Sequence, residues 1–456
     1  MCETEYSQAT RMWYMKDVLK MTKKYKSIAI MMMIILLFPS QLVQAAEPID
    51  GMAEEGTLQE LEESALKMPT ETADIADWPV GPATHGRSAI VMDADTGAIL
   101  YGKNIDEKEF PASITKVLTA LIAFENSEPT DSVTISEECE YSVPVGYTHV
   151  GLKTGNVLTM EEALLATLLA SANEAAYSVG ENVGKNAGHD YQWFIEEMNR
   201  RCQELGGLNS NFVNTNGLHD ENHYTTARDM AIIGRELCKY PEYFTLSQTL
   251  ERQIPATETC VELNLWQGDM MLWPSAEDYY EPVIAGKTGY TDSARSTLFT
   301  VADDGNMRLI CVVLHTYGAN SYADTKSLLE YSFANFKKTE ALGAEVVLPK
   351  DASAEEVSLE EVKNPNGTMT TNYLYKGQLV GTKTSAKKAE TPSKDSDAEE
   401  TPDTSRKTRA KTSMGKTIIL IAIGAVLVLI LLFLGGAILR QKRRRKGRRR
   451  RRHHRR

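Results

Sequence analysis

Pro111-Ala112-Ser113-Ile114-Thr115-Lys116 leads into an apolar run, Ile114 to Phe124, that reads as a helix. Ser113 stands at the start of it, where backbone N–H groups point outward and the helix dipole favours a developing anion. Lys116 follows three residues later, so its side chain lies on the same helix face one turn away. A serine hydroxyl needs a base to act as a nucleophile. A lysine serves as that base only when burial or a nearby cation lowers its pKa. Ser and Lys at this spacing occur on many helix surfaces, so the pair takes its meaning from segments further along the chain.

Two more strings come later, in a fixed order. Ser171-Ala172-Asn173 comes after the apolar stretch Leu164 to Ala170 and reads as a helix exit that presents a hydroxyl and an amide over a cleft. Ser171 is a candidate proton relay, and Asn173 a candidate partner for a substrate carbonyl. Ala285-Gly286-Lys287-Thr288-Gly289-Tyr290 reads as an edge strand, whose glycines let an extended substrate approach and pair through its main chain. Lys287 is the candidate cation beside Lys116, and Lys287 with Thr288 the candidate clamp for a substrate carboxylate. The N–H groups of Ser113 and Tyr290 are the expected oxyanion hole, worth roughly 3–4 kcal/mol per donor. An S-x-x-K, an S-x-N and a K-T-G in this order are the parts of a serine acyl-transfer site.

Around these strings the pattern is α+β, a helical cluster on an antiparallel sheet whose strands come from both ends of the domain. Ala89 to Ala94, Asp95-Thr96-Gly97 and Ala98 to Tyr101 read as a hairpin. Helices are expected after the capping-box start at Thr159, over Gln192 to Leu205 before Gly206-Gly207, and over Thr226 to Tyr240 before Pro241. Ser296 to Ala302 and Met307 to His315 read as strands, and Leu328 to Phe336 as a closing helix. The main domain is placed at 85–340, after a flexible acidic lead-in at 46–84. Residues 343–383 suggest a small β module, too short for a core of its own and so leaning on the main domain or a membrane stalk. Residues 384–416, rich in Lys, Ser, Thr, Glu and Pro, read as a disordered tether.

The two ends read as targeting segments. Lys23, Lys24 and Lys26 precede the apolar run Ile28 to Phe38, and Val43-Gln44-Ala45-Ala46 supplies a small-residue cleavage site, with cleavage expected after Ala45. Thr417 to Leu439 is 23 residues without a charge, long enough to span a bilayer. The 17 residues from Arg440 onward contain 13 Lys or Arg, which places them in the cytoplasm and the preceding chain outside. The expectation is a single-pass cell-membrane protein with an extracytoplasmic catalytic domain and a transmembrane helix near the C-terminus.

The whole chain carries a net charge of −12; setting aside the tail (+13) and the first 45 residues (+3) leaves −28. An exported part this acidic argues against nucleic acid as a partner. Of six cysteines, Cys2 leaves with the leader. The remaining five are odd in number and lack a C-x-x-C. They read mostly as small buried hydrophobes, with one disulfide left open. His219, Asp220, His223 and Asp229 resemble a ligand set, but Gly217 and Asn222 point to a loop and there is no H-E-x-x-H, so no metal is expected.

With these motifs assembled, and with Asn211 to Asn214, Gly217-Leu218-His219-Asp220, His223 to Met230 and Gly286 to Ala294 beside them, residues 85–340 resemble the serine-type D-alanyl-D-alanine carboxypeptidases, the low-molecular-mass penicillin-binding proteins. The resemblance implies a penicillin-recognising serine acyltransferase fold without cofactor. It implies a peptidoglycan stem peptide ending in D-Ala-D-Ala as substrate, an acyl-enzyme on Ser113, and β-lactams as inhibitors. It also leads one to expect an Arg soon after the strand following K-T-G. None occurs between Arg308 and Arg406, and Asn320 stands near that place, which leaves carboxylate binding to Lys287 and Thr288, or to Arg295. A non-catalytic or substrate-shifted wall-binding protein on the same fold is the alternative. A β-lactamase, which needs a deacylating base, fits less well.

Overall fold

The structure is a computed structural model that describes residues 56–317, 320–363 and 368–384. The expected leader, the tether beyond Thr384, the span Thr417 to Leu439 and the basic tail lie outside the described residues. Among the described residues no helix is long and apolar enough to cross a membrane.

In chain order the elements begin with α1 (Leu58–Lys67), β1 (Gly86–Asp93), β2 (Ile99–Lys103), α2 (Thr115–Asn126), β3 (Ser132–Thr134) and α3 (Glu137–Tyr141). Next come β4 (Val157–Thr159), α4 (Met160–Leu168), α5 (Asn173–Asn186), α6 (Tyr191–Leu205), α7 (Ala227–Leu237) and α8 (Pro241–Ser247). After these come strands β5 (Glu251–Ile254), β6 (Leu263–Trp266), β7 (Val283–Thr291), β8 (Arg295–Asp303) and β9 (Arg308–Thr316). The last are α9 (Ser321–Asn335), β10 (Phe336–Ala341), β11 (Ala344–Pro349), β12 (Val357–Lys363), β13 (Met369–Tyr375) and β14 (Gln378–Thr384).

The central sheet is antiparallel in the order β2-β1-β9-β8-β7, so strands from both ends of the domain meet in its middle. Its two faces are built by alternation along each strand. Ile90 and Met92 of β1 and Ile310, Val312 and Leu314 of β9 enter one core with α2, α4, α5 and α7. Ala89 and Val91, with Leu309, Cys311 and Val313, enter a second core with α9 and the small β module. Because both faces are covered, these strands read as continuous apolar runs. Helix α2 is buried from Thr115 to Ala123, which explains its all-round apolar sequence. Each fully buried Leu or Ile there contributes about 1.5–3 kcal/mol.

Local signals account for most boundaries. Thr159 caps α4 in a reciprocal capping box with Glu162. Asp190 caps α6, and Gly206 ends it at φ 102°. Thr226 caps α7, which stops at Leu237; Pro241 then starts α8 at its first turn, where a missing N–H costs nothing.

Two expectations are corrected. The lead-in contains α1, whose capping box joins Thr57 and Glu60. Beyond it, Trp78 is buried, and its indole N–H donates to Leu100 O. Among the described residues of the lead-in, Glu60, Glu63, Glu71, Asp74 and Asp77 are exposed, while Ala65, Thr72 and Trp78 are buried. The small β module begins before residue 343, because β10 follows α9 directly at Phe336. It leans on the main domain: Val346, Val347, Leu348, Tyr375 and Val380 share the core of α9 and β9, and the Thr382 N–H donates to Thr96 O. Cys139, Cys202, Cys238, Cys260 and Cys311 are all free thiols, four of them buried and Cys238 partly so.

Candidate active site

Ser113 lies in a short 3-10 turn, Ala112–Ile114, that runs directly into α2. Ala112 has φ +50°, in the left-handed region, and its carbonyl accepts a hydrogen bond from Thr115 Oγ1 at 2.8 Å. This turn is wedged between strand and loop. A Cβ on Gly289 of β7 would stand 2.9 Å from the Ser113 nitrogen and 2.4 Å from Thr297 Oγ1. One on Gly217 would stand 1.8 Å from Ala112 O. Both positions require glycine because backbone meets backbone there.

Lys116 is fully buried, and its Nζ lies 2.9 Å from Ser113 Oγ, 2.8 Å from Asn173 Oδ1 and 2.6 Å from Asn216 O. The Asn173 amide is oriented by its own Nδ2, which donates to Thr148 O at 3.0 Å. Asn173 Oδ1 and the Asn216 carbonyl are pure acceptors. A neutral amine therefore spends its two N–H groups on them and turns its lone pair to the serine hydroxyl. Burial, and next the Lys287 cation, hold the Lys116 amine well below its ordinary pKa, against an opposing pull from Glu174. Burial and the Lys287 charge both favour the neutral amine, the form a general base needs.

Lys287, expected to hold a substrate carboxylate, is itself buried, and its Nζ donates to Thr288 O at 2.8 Å. Burial lowers its pKa to about 8, and the charge of Asp269 partly offsets this. Asp269 is buried too, its carboxyl raised to about 6 by desolvation. Among the described residues β7 is an edge of the sheet. Thr288 is half-buried on it and Tyr290 is exposed, its hydroxyl donating to Asp292 Oδ1 at 3.3 Å. The amides of Ser113 and Tyr290 belong to the two segments that meet at Gly289.

Ser171 has φ +55° in the connection between α4 and α5. Asn173 is therefore the first residue of the next helix rather than the tail of the preceding one. Arg295, with φ +55°, sits at the β7–β8 turn opposite Thr291. Asn320 precedes α9 and donates to Tyr317 O at 3.1 Å.

Several contributors carry no motif. The Asn216 carbonyl is a backbone group on a distant loop. Glu174 accepts from the amides of Val150 and Gly151 at 2.7 and 3.0 Å and so pins the loop whose Thr148 orients Asn173. His223, weighed as a metal ligand, has both ring nitrogens engaged by Val213 and Thr115. Asp229 accepts from Asn209 and Ser210.

A buried lysine beside a serine that begins a helix, next to a K-T-G edge strand, is the arrangement that serine acyl transfer requires. The sequence profile of peptidase family S11, D-alanyl-D-alanine carboxypeptidase, matches residues 75–318, and the chain belongs to that family. It is 31% identical over 264 residues to the D-alanyl-D-alanine carboxypeptidase DacF of Bacillus subtilis, covering 56% of this chain and 64% of that protein. It is 30% identical over 290 residues to the DacA carboxypeptidase of Haemophilus influenzae, covering 62% of this chain and 70% of the relative. The match thus spans somewhat less than two thirds of the Bacillus protein. The fold is shared with penicillin-binding protein 6B of Escherichia coli at TM-score 0.54 and 23% identity, over 68% of this chain and 98% of that one.

Proposed function

We propose that this protein is a serine D,D-carboxypeptidase that removes the terminal D-alanine from peptidoglycan stem peptides and is acylated by penicillins. The observation that carries the reading is the Lys116 amine, buried and 2.9 Å from Ser113 Oγ, with two carbonyl oxygens occupying its N–H groups. Lys116 takes the Ser113 proton as Oγ attacks the carbonyl carbon of the penultimate D-alanine. The oxyanion is received by the amides of Ser113 and Tyr290. The C–N bond breaks, and the departing D-alanine amine takes the proton from Lys116, with Ser171 as relay. Asn173 and the β7 edge hold the peptide. Water then adds to the Ser113 ester, and Oγ recovers its proton as the shortened peptide leaves.

The uncharged run Thr417 to Leu439 and the basic tail support anchoring by a single C-terminal span, with the catalytic domain outside the cytoplasm and delivered by the leader at 1–45. The buried position of Lys287 favours one variant reading, a substrate whose terminal carboxylate is not clamped by this lysine.

Fluorescent penicillin labelling of the purified full chain with peptide mapping, run beside a D-alanine release assay on a wall pentapeptide, tests both. Label on Ser113 with release supports the carboxypeptidase. Label without release points to the shifted substrate. No label favours a wall-binding module.

A further inference from the structure

We infer that His223 is a positioning residue for acyl transfer, acting through Thr115 to hold the Ala112 carbonyl and thereby aim the Ser113 amide. The inference rests on the proposed role of Ser113. Residues 211–225 form a strap along α2. The strap is closed by paired main-chain hydrogen bonds between Asn211 and Tyr224 and tied to Glu109 through Thr225. It meets α2 at successive levels: His223 reaches Thr115 at 2.8 Å, Asn216 O meets Lys116 at 2.6 Å, and Thr215 O accepts from Thr119 at 2.7 Å.

Donor and acceptor roles along this chain of contacts are determined by counting. His223 Nδ1 accepts from the Val213 N–H at 3.0 Å. In the neutral ring the proton is then on Nε2, which donates to Thr115 Oγ1 at 2.8 Å. The Thr115 hydroxyl in turn donates to Ala112 O at 2.8 Å. A threonine back-bond of this kind is a local habit in helices; His223 makes it directional and polarises it.

The carbonyl so held matters because it shares a peptide plane with the Ser113 N–H. A trans peptide is rigid, so holding the oxygen sets the direction of the N–H on its other side. Ala112 carries a Cβ in the left-handed region, a strained conformation that persists only when the surroundings over-determine it. The hydroxyl from one side and Gly217 in backbone contact from the other supply that constraint.

The test measures single-turnover penicillin acylation of the full chain in four variants, each with its melting temperature. Thr115→Val keeps the shape and loses both hydroxyl bonds, whereas Thr115→Ser keeps them. His223→Gln retains a donor near Nε2, whereas His223→Asn retains the acceptor near Nδ1 and falls short of Thr115. The expected result is acylation about 10- to 100-fold slower in Thr115→Val and His223→Asn, at little changed half-saturation. Thr115→Ser and His223→Gln stay within about threefold of wild type, well short of the loss of an oxyanion-hole donor. Should one pair fail to fold, the other decides. The inference is overturned if folded Thr115→Val or His223→Asn acylates as fast as its partner variant, whatever happens to melting. A wild-type chain that is not labelled at Ser113 overturns the proposed function itself, and this inference with it.

Discussion

Asn173 accepts a hydrogen bond from Lys116 Nζ at 2.8 Å through Oδ1 while its Nδ2 is committed to Thr148 O at 3.0 Å. The amide therefore faces the base with its oxygen, and the base keeps a lone pair for Ser113. The side chain does this without carrying charge, which matters because a carboxylate in its place would stabilise the ammonium form.

Asn173→Asp is accordingly expected to raise the Lys116 pKa, because a carboxylate beside the amine favours its charged form. Acylation near neutral pH falls about 10- to 100-fold, and the acid limb of the rate profile moves to higher pH. The pH dependence of penicillin acylation checks this. A profile unmoved by the substitution removes Lys116 as the base.

Gly289→Ala places a methyl group 2.4 Å from Thr297 Oγ1 and 2.9 Å from the Ser113 nitrogen. Backbone on one side and a hydrogen-bonded hydroxyl on the other leave it nowhere to go, since Thr297 Oγ1 itself donates to Pro111 O at 2.9 Å. The strand and the nucleophile turn must part, and the acylation rate is expected to drop at least about 100-fold. Stopped-flow acylation of the folded variant measures it; a loss of less than about tenfold contradicts the close approach.

Burial depresses the His223 pKa from 6.5 to about 3, with Asp220 opposing and His219 and Lys116 adding to the effect. Between these values the unfolded chain binds the proton that the folded chain refuses. The stability this histidine supports is therefore present in full above about pH 6.5 and is lost as the pH falls towards 3. The loss is on the order of 4 kcal/mol. Denaturant titrations of wild type and His223→Gln across that window should show a shallower acid decline in the variant. Parallel declines would contradict the assignment.

Lys103 is buried, and its Nζ donates to Ala65 O, Thr84 O, Thr84 Oγ1 and Gly86 O. It thus ties the last turn of α1 to the start of β1. Lys103→Met orphans these acceptors and is expected to cost about 2–4 kcal/mol. It should also open α1 to limited proteolysis before the rest of the domain unfolds. Protection of residues 58–67 equal to wild type would show that α1 is held by other contacts.

Much of this architecture was legible from local pattern. Thr159 with Glu162, Asp190 with Gly206, and Pro241 announce helix ends because capping is a contact between near neighbours in sequence. The hairpin at Asp95-Thr96-Gly97 and the strands on either side of Gly305 arise from turn chemistry and apolar runs in the same way. The capping box of α1 is equally local, yet the acidity of 46–84 masks it. The Lys103 Nζ that bonds the last turn of α1 comes from far along the chain, and no pattern within the lead-in reveals that contact. The Asn216 carbonyl is hidden for a different reason: a main-chain acceptor has no side chain to signal its role.

By itself the sequence determined which groups are candidates for the chemistry. Ser113, Lys116, Asn173 and the Lys287-Thr288-Gly289 strand are recognisable because acyl transfer demands those residue types and helices and strands impose those spacings. Only the tertiary structure decided the state in which they work. Whether Lys116 is an ammonium or an amine depends on its burial, on the Lys287 charge and on two carbonyl oxygens brought to it from separate segments. Likewise the aim of the Ser113 amide depends on a peptide plane gripped from the 211–225 strap. Desolvation and field act through space and sum over every neighbour, so they come into being only when the chain has folded.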